Sequence, residues 1–498
     1  MATDTGTAST GLRPDRAVMV VACVSTLVVN ANTSAVSILL PSISADLQTS
    51  VATLQWAVTG YLLVGAAVIV TSGAMGDVFG RRRVFVGGLA LFVASCVLIA
   101  LAQTGEMVVI GRLIQGAAGS TILACGLSLL SVASSGQAQM RAVTLWGAAA
   151  AAGAAGGPVL GGVLNELAGW QGLFWIDAAV AAVCVPIALR GVAESRDPHR
   201  APTIDWAGTV LIAGVLVPFV FAMTEGPNWG WLSLPTLACL VLTVAAAIGF
   251  VVVERRVASP LVDLHVLRNR QLVVSTWVIF VGAGAIAALS FLLSLYFQAP
   301  ETLGFSSLVA GLAMLPLAAV VILVAPAVTP LAHRFGARPV VLGGFLLLTV
   351  GFLLLVAVAP TWGYGVFLLP LLAIAAGLSL TNGPATSVST SCVTPAQVGQ
   401  ASGISNMARY VGGAVMTAVA SGIYSTGIAT STAAGESTAA ALADGFSQAC
   451  IALTIFAASS IVFAVVSARR PGRPHAVDYA AAAASTTHTL PVQPSDID

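Results

Sequence analysis

Apolar residues run along this chain in long blocks, parted by short polar stretches that carry nearly all of the charge. The blocks lie near 17–40, 53–75, 84–102, 107–132, 142–164, 173–190, 205–224, 234–253, 272–297, 306–329, 340–359, 365–388, 402–425 and 444–467, fourteen in all. Each is close to the ~20 residues an α-helix needs to cross a ~30 Å hydrocarbon core at 1.5 Å rise per residue. Strands of a membrane barrel are ~10 residues of alternating apolar and polar character, and the blocks do not alternate. The pattern predicts an all-α membrane protein with fourteen transmembrane helices.

Composition agrees: 58% of the 498 residues are hydrophobic and 8% charged, with a mean hydropathy of +0.97, where soluble domains carry about 25% charged residues. The placement of charge tests the helix count independently. All 20 basic residues are arginine, and cytoplasmic loops are expected to collect them. With an even helix count and both termini cytoplasmic, eighteen fall in cytoplasmic segments: Arg13, Arg16, Arg81, Arg82, Arg83, Arg141, Arg190, Arg196, Arg200, Arg255, Arg256, Arg268, Arg270, Arg334, Arg338, Arg469, Arg470 and Arg473. The remaining two, Arg112 and Arg409, fall in or at the edge of helices. One span more or fewer scrambles this segregation.

A net charge of +1 gives no case for nucleic-acid binding, and the seven cysteines are scattered singly, so neither a disulfide framework nor a metal site is expected. No cofactor is implied. The sequence holds no GxxxxGK[ST] phosphate loop, HExxH pair or GxSxG elbow, which argues against an ATP-driven pump and against an enzyme; no ATP-binding subunit is expected. The loops are too short to fold as domains. Residues 1–16 read as a cytoplasmic tail, and 468–498, rich in Ala, Ser, Thr and Pro, as a disordered one. Abundant Ala and Gly with arginine as the only base suggests a GC-rich bacterial source, and hence an inner membrane.

Four motifs go further. GAMGDVFGRRRV (Gly73 to Val84) joins helices 2 and 3, with Gly73, Gly76 and Gly80 for tight turns and Asp77 positioned to pair with the three arginines or to cap the next helix. A degraded copy, LAHRFGARPVVLGG (Leu331 to Gly344), recurs between helices 10 and 11, the internal symmetry expected of transporters built from repeated halves. IGRLIQGAAG (Ile110 to Gly119) puts Arg112 in an apolar helix one turn from Gln115. A charge there costs ~2.5 kcal/mol or more unless it has a partner or a wet cavity. In helix 5, GAAGGPVLGG (Gly153 to Gly162) repeats Gly153, Gly157 and Gly161 every four residues, a face that lets helix backbones approach, with Pro158 positioned to bend the helix and Gly162 beside it.

These motifs resemble those of the major facilitator superfamily: the loop after helix 2 its signature, the helix-4 run its arginine motif associated with proton transfer, and the helix-5 run the motif of its antiporter branches. QWAVTGYLL (Gln55 to Leu63), TEGPNWGW (Thr224 to Trp231) and SPLVDLHVLRNR (Ser259 to Arg270) are similar to the fourteen-helix drug:proton antiporters. The resemblance implies the major facilitator fold: a six-helix bundle over 17–190, an inserted helix pair with linkers over 191–271, and a second six-helix bundle over 272–467. It implies Arg112, Asp77, Arg81 and Arg82 in proton coupling or gating, and a midplane substrate cavity to which Asn32, Gln115, Trp146, Tyr296 and Asn382 are assigned. Asn382-Gly383-Pro384 reads as a helix interruption.

Two positions depart from that branch. Its helix-1 pattern has an acid nine residues before a proline, where ANTSAVSILLP (Ala31 to Pro41) has Asn32. Its helix-6 pattern has Asn where GLFWIDAA (Gly172 to Ala179) has Asp177. Asn cannot exchange a proton, so Asp177 is the candidate replacement; the alternative is an exposed carboxylate near the outer surface. The expected function is secondary export of small lipophilic or amphiphilic compounds, drugs or antibiotics, in exchange for protons by alternating access. An uncoupled or differently coupled lipid or metabolite transporter, and a transport-inactive membrane sensor or assembly partner, stay open at this stage.

Overall fold

The computed structural model describes residues 14–466 apart from 134–135, 197–203, 258–259, 263 and 395–396. The disordered tail expected over 468–498, and residues 1–13 of the leader, lie outside the described residues. The chain folds into helices α1 (Pro14–Asp46), α2 (Val51–Phe79), α3 (Arg81–Ala100), α4 (Gly105–Ala133), α5 (Gly136–Ala168), α6 (Gln171–Gly191), α7 (Trp206–Trp229), α8 (Leu234–Glu254), α9 (Arg270–Gln298), α10 (Ser307–Ala313), α11 (Leu315–Phe335), α12 (Ala337–Val356), α13 (Tyr364–Ser391), α14 (Val398–Ala433) and α15 (Thr438–Val466). They supply fourteen segments long and apolar enough to cross a membrane. The extra helix arises because the tenth span breaks at Met314. Pro316, at the start of α11, has no N–H to continue the ladder from α10, and its ring opposes the carbonyl four residues back.

Local chemistry fixes the ends. Ser50, Ser233 and Ser306 cap α2, α8 and α10 by accepting the N–H of Thr53, Thr236 and Val309, and Asp205 caps α7 by accepting from Gly208 N at 2.7 Å. Two glycines stop helices in equivalent ways: Gly80 ends α2 at φ +113° and Gly336 ends α11 at φ +87°. Side chains strain at such angles and glycine does not, so the repeated Phe-Gly of the two motifs is a repeated turn.

In the first bundle α1 packs on α5, α2 on α4, and α3 on α4 and α6; in the second α9 packs on α14, α12 on α13 and α15, and α11 on α13. The inserted α7 and α8 pack on each other, and α7 leans on both α2 and α14. Outside this pair α8 turns Val241, Leu242, Val244 and Ile248 outward, each more than half exposed, as suits a lipid-facing helix. Helix α7 thus bridges the bundles on one flank.

The bundles meet on the face away from the arginines. There Ser294 Oγ donates to Ser37 O, Gln298 Nε2 to Ile38 O at 3.0 Å, Asn165 Nδ2 to Ser307 Oγ at 3.1 Å, and Ser306 Oγ to Glu166 Oε1 at 2.8 Å. Glycines set the spacing. A Cβ on Gly162 would lie 2.6 Å from Leu308 Cα, and one on Gly311 2.4 Å from Pro158 O. The antiporter-like face of α5 does the same within the first bundle, since Cβ atoms on Gly153 and Gly157 would sit 2.3 Å from Leu27 O and 2.4 Å from Ala31 O, and Gly161 faces Ala35.

One expectation fails. Asn382-Gly383-Pro384 does not interrupt a helix, because α13 runs unbroken from Tyr364 to Ser391. A proline removes a single ladder bond, and unwinding the turn would release several more backbone groups that the helix now pairs.

Candidate functional site

Two features between and within the bundles are chemically distinctive: a buried polar cluster in the first bundle and a large cavity at the seam. The cluster starts from Arg112, which is fully buried. Glycines on α4 bring the neighbouring helices close enough for this. A Cβ on Gly116 would sit 2.4 Å from Tyr61 O, and one on Gly111 2.4 Å from an Ile99 side-chain carbon. Arg112 Nε then donates to Ala57 O at 3.0 Å, and Nη1 to Asn32 Oδ1 and Gln115 Oε1, both at 2.5 Å. The guanidinium lies 4.1 Å from the Tyr61 ring centroid, a cation–π contact. Gln115, one turn along α4 on the same face, donates on to Cys96 Sγ at 3.0 Å.

Asn32 also holds the acid. Its Nδ2 donates to Asp177 Oδ2 at 2.7 Å, across 145 residues of sequence. Asp177 is 2% exposed, which excludes the exposed-carboxylate alternative, and Asn32 is fully buried. The result is a chain of carboxylate, amide and guanidinium in which one asparagine donates to the acid and accepts from the base. Arg112 and Asp177 make no direct ion pair; Asn32 carries the connection.

The seam holds a cavity of about 830 Å³, lined by α1 (Asn30, Thr33, Ser34, Ser37), α2 (Val58, Leu62), α5 (Ala151, Ala154, Ala155, Pro158), α9, α11, α13 (Ser379, Asn382, Gly383, Ser387) and Arg409 of α14. It lies on the arginine-rich side of the contacts that join the bundles, since α11 contributes Ala325, Val328 and Ala332 near its arginine-rich end. Helix α1 serves both features, presenting Asn32 to the cluster and its sequence neighbours Asn30 and Thr33 to the cavity.

Of the five residues assigned to the cavity, Asn382 is on its wall. Asn32 and Gln115 instead belong to the buried cluster, and Tyr296 sits in an aromatic group, 4.9 Å from Phe446 and 5.8 Å from Phe367 between ring centroids. Trp146 is half-buried against the core of α5 and is not on the wall. Among the described residues the lining holds no aromatic side chain. Aromatic rings fill space between helices at low entropic cost, and here they do so inside the second bundle.

At the α2–α3 loop, Arg81 Nη2 meets Asp77 Oδ1 at 2.8 Å, so Asp77 pairs with an arginine and does not cap α3. Arg82 donates from its backbone N to Glu194 Oε1 at 3.0 Å and from Nη1 to Val192 O at 3.1 Å, and Arg83 lies 3.7 Å from Glu194. Gly80 fits this loop because a Cβ there would meet the Glu194 carboxyl at 2.7 Å, and Gly76 because its Cβ would meet Cys125 Sγ at 3.0 Å. Gly73, assigned to the same motif, faces open space. Glu194 is a partner of this loop that sequence reasoning missed, having no signal beyond its place after α6. Arg409, noted in the sequence only for its place in or at the edge of a helix, lies on the cavity wall.

Removing the guanidinium should be severe. Arg112→Leu leaves Ala57 O, Asn32 Oδ1 and Gln115 Oε1 buried without that donor, at ~1–3 kcal/mol for each acceptor left unpaired. Thermal unfolding of the purified variant should show a marked loss, and Arg112→Lys, which keeps charge without the fork, an intermediate one. Wild-type stability in Arg112→Leu contradicts the geometry.

The chain has relatives in bacteria and in solved structures. It is 31% identical over 402 residues to the tetracenomycin C resistance and export protein of Streptomyces glaucescens, covering 81% of this chain and 73% of that one. Over 457 residues it is 30% identical to the cephamycin export protein CmcT of Amycolatopsis lactamdurans, covering 91% of both. An auto-inhibited POT family peptide transporter shares the fold with a TM-score of 0.66 at 15% identity, over 92% of this chain and 98% of that one. The family profile described as Major Facilitator Superfamily matches residues 22–417, and with fourteen membrane-crossing helices in two bundles and an inserted pair, this chain belongs to the Major Facilitator Superfamily and is a transporter, not an enzyme.

Proposed function

We propose that the protein exports small amphiphilic compounds across a bacterial inner membrane in exchange for protons, with Asp177 as the proton-binding carboxyl. The observation that carries this reading is the buried chain Asp177, Asn32, Arg112 beside the seam cavity. The named exporters among its relatives support the direction of transport. The arginine-rich face is the cytoplasmic one by the positive-inside rule, so the cavity faces the cytoplasm and the serine- and glutamine-lined contacts close the outside.

In the charged state Asp177 draws Asn32 Nδ2, and the polarised amide offers its oxygen to Arg112. A proton on Asp177 weakens the first bond and frees the amide to turn. Because Asn32 shares α1 with Asn30, Thr33 and Ser34 on the cavity wall, the change reaches the substrate site through one helix. Alternating access then rocks the bundles about the glycine contacts, with the Asp77, Arg81, Arg82 and Glu194 loop holding the cytoplasmic ends of α2, α3 and α6 together.

Reconstituted vesicles enclosing a pH-sensitive dye test this. Candidate lipophilic drugs should elicit proton flux with wild type and none with Asp177→Asn. Drug movement without proton movement in the wild type makes the protein a facilitator or lipid transporter, and unchanged flux in Asp177→Asn removes that residue from the coupling.

A further inference from the structure

The seam cavity carries a charge of one sign. Among the described residues its lining includes Arg409 and no aspartate, glutamate, lysine or histidine. Arg409 lies eleven residues past the start of α14 at Val398, or about 16 Å along the helix, inside the membrane-crossing segment Gln400–Ala433. A cation at that depth is costly without a partner or water. Arg112 shows how this chain answers that cost, with three acceptors around one guanidinium. Among the described residues Arg409 has neither an ion pair nor a hydrogen bond; the ion pairs there join Arg81, Arg82 and Arg83 to Asp77 and Glu194.

A second group on the same wall is also incomplete. Asn382 Oδ1 is buried without a hydrogen-bond partner, packed toward Gly282 of α9. The remainder of the wall is uncharged: aliphatic and hydroxylic side chains, the amide of Asn30 and the thioether of Met314. A volume of about 830 Å³ suits a drug-sized compound, since such sites run to roughly 300–1,000 Å³.

We propose that this cavity selects amphiphiles bearing an anionic group, which Arg409 holds. Cationic amphiphiles are disfavoured, because no carboxylate on the wall offsets the arginine. The inference rests on the reading of this cavity as the substrate site, and Asp177 plays no part in it.

Equilibrium binding separates the two questions. Fluorescein, anionic at neutral pH, and rhodamine 123, a cation on the same xanthene body, are titrated by fluorescence anisotropy against the full chain in lipid nanodiscs without a pH gradient. Wild type should bind fluorescein at least about tenfold more tightly than rhodamine 123, the order expected for one desolvated charge contact. Arg409→Gln should erase the preference and Arg409→Lys should keep it. Equal or reversed affinities in the wild type overturn the proposal, as does a preference that survives Arg409→Gln; if that variant does not fold, the wild-type pair and Arg409→Lys decide. Loss of drug-driven proton flux in Asp177→Asn alongside charge-blind binding leaves the export reading standing and sinks this one, whereas an Arg409-dependent preference without any export does the reverse.

Discussion

Exchanging two hydrogen-bonded residues should restore what one substitution removes: Asp177→Asn alone is expected to lower drug-driven proton flux at least about tenfold, equivalent to ~1.4 kcal/mol, and the double exchange Asn32→Asp with Asp177→Asn to recover most of it. The two side chains meet at 2.7 Å in a site with almost no access to solvent, so the exchange keeps one carboxyl and one amide in the same volume. It also brings the carboxyl to the residue that now accepts from Arg112 at 2.5 Å, giving a direct ion pair. Vesicle proton flux measured on the single and double variants decides the matter. A double exchange as inactive as Asp177→Asn would falsify the idea that the pair acts as one unit, and would tie coupling to α6 itself.

The second large effect concerns packing. Gly157→Val should cost more stability than almost any other single change on α5, because its Cβ would stand 2.2 Å from Ser34 Oγ and 2.4 Å from Ala31 O, both on α1. Overpacking of this kind costs ~1–3 kcal/mol where neighbours can shift, and a helix backbone shifts poorly. The adjacent Gly156→Val is the control, since a Cβ there meets nothing within 4 Å. Thermal unfolding of the two purified variants should separate them clearly, with export lost only in the first. Equal melting of both contradicts the close α1–α5 approach.

The architecture was legible because crossing a bilayer demands long apolar blocks, and because arginine segregation depends on the parity of the count. The α2–α3 turn was legible too, glycine at positive φ being a local requirement that recurs at Gly80 and Gly336. The cavity wall was far less so. A soluble helix marks its buried side by an apolar stripe, but these helices are apolar on every side, and nothing in the spacing of Trp146 or Tyr296 distinguishes lipid, core or cavity. Asn32 and Asp177 were each conspicuous as departures, yet their contact depends on how α1 and α6 pack, which no spacing along the chain encodes. Glu194 was hidden for the opposite reason, an acid in a polar linker being ordinary until Gly80 is seen against it.

The bridging position of α7 has a consequence for how a compound dissolved in the bilayer meets the protein. On the α2–α14 flank Trp56 stacks near Phe221 at 4.3 Å, and Thr71 shares a hydrogen bond with Thr209 at 2.7 Å, so α7 and α8 stand as a wall between the lipid tails and the cleft. The α5–α11 flank has no such wall, and there Ala151 and Ala154 on one side and Ile322 and Ala325 on the other are both exposed and part of the cavity lining. The cleft is therefore flanked unequally, with α7 and α8 packed along its α2–α14 side and no inserted helix along its α5–α11 side.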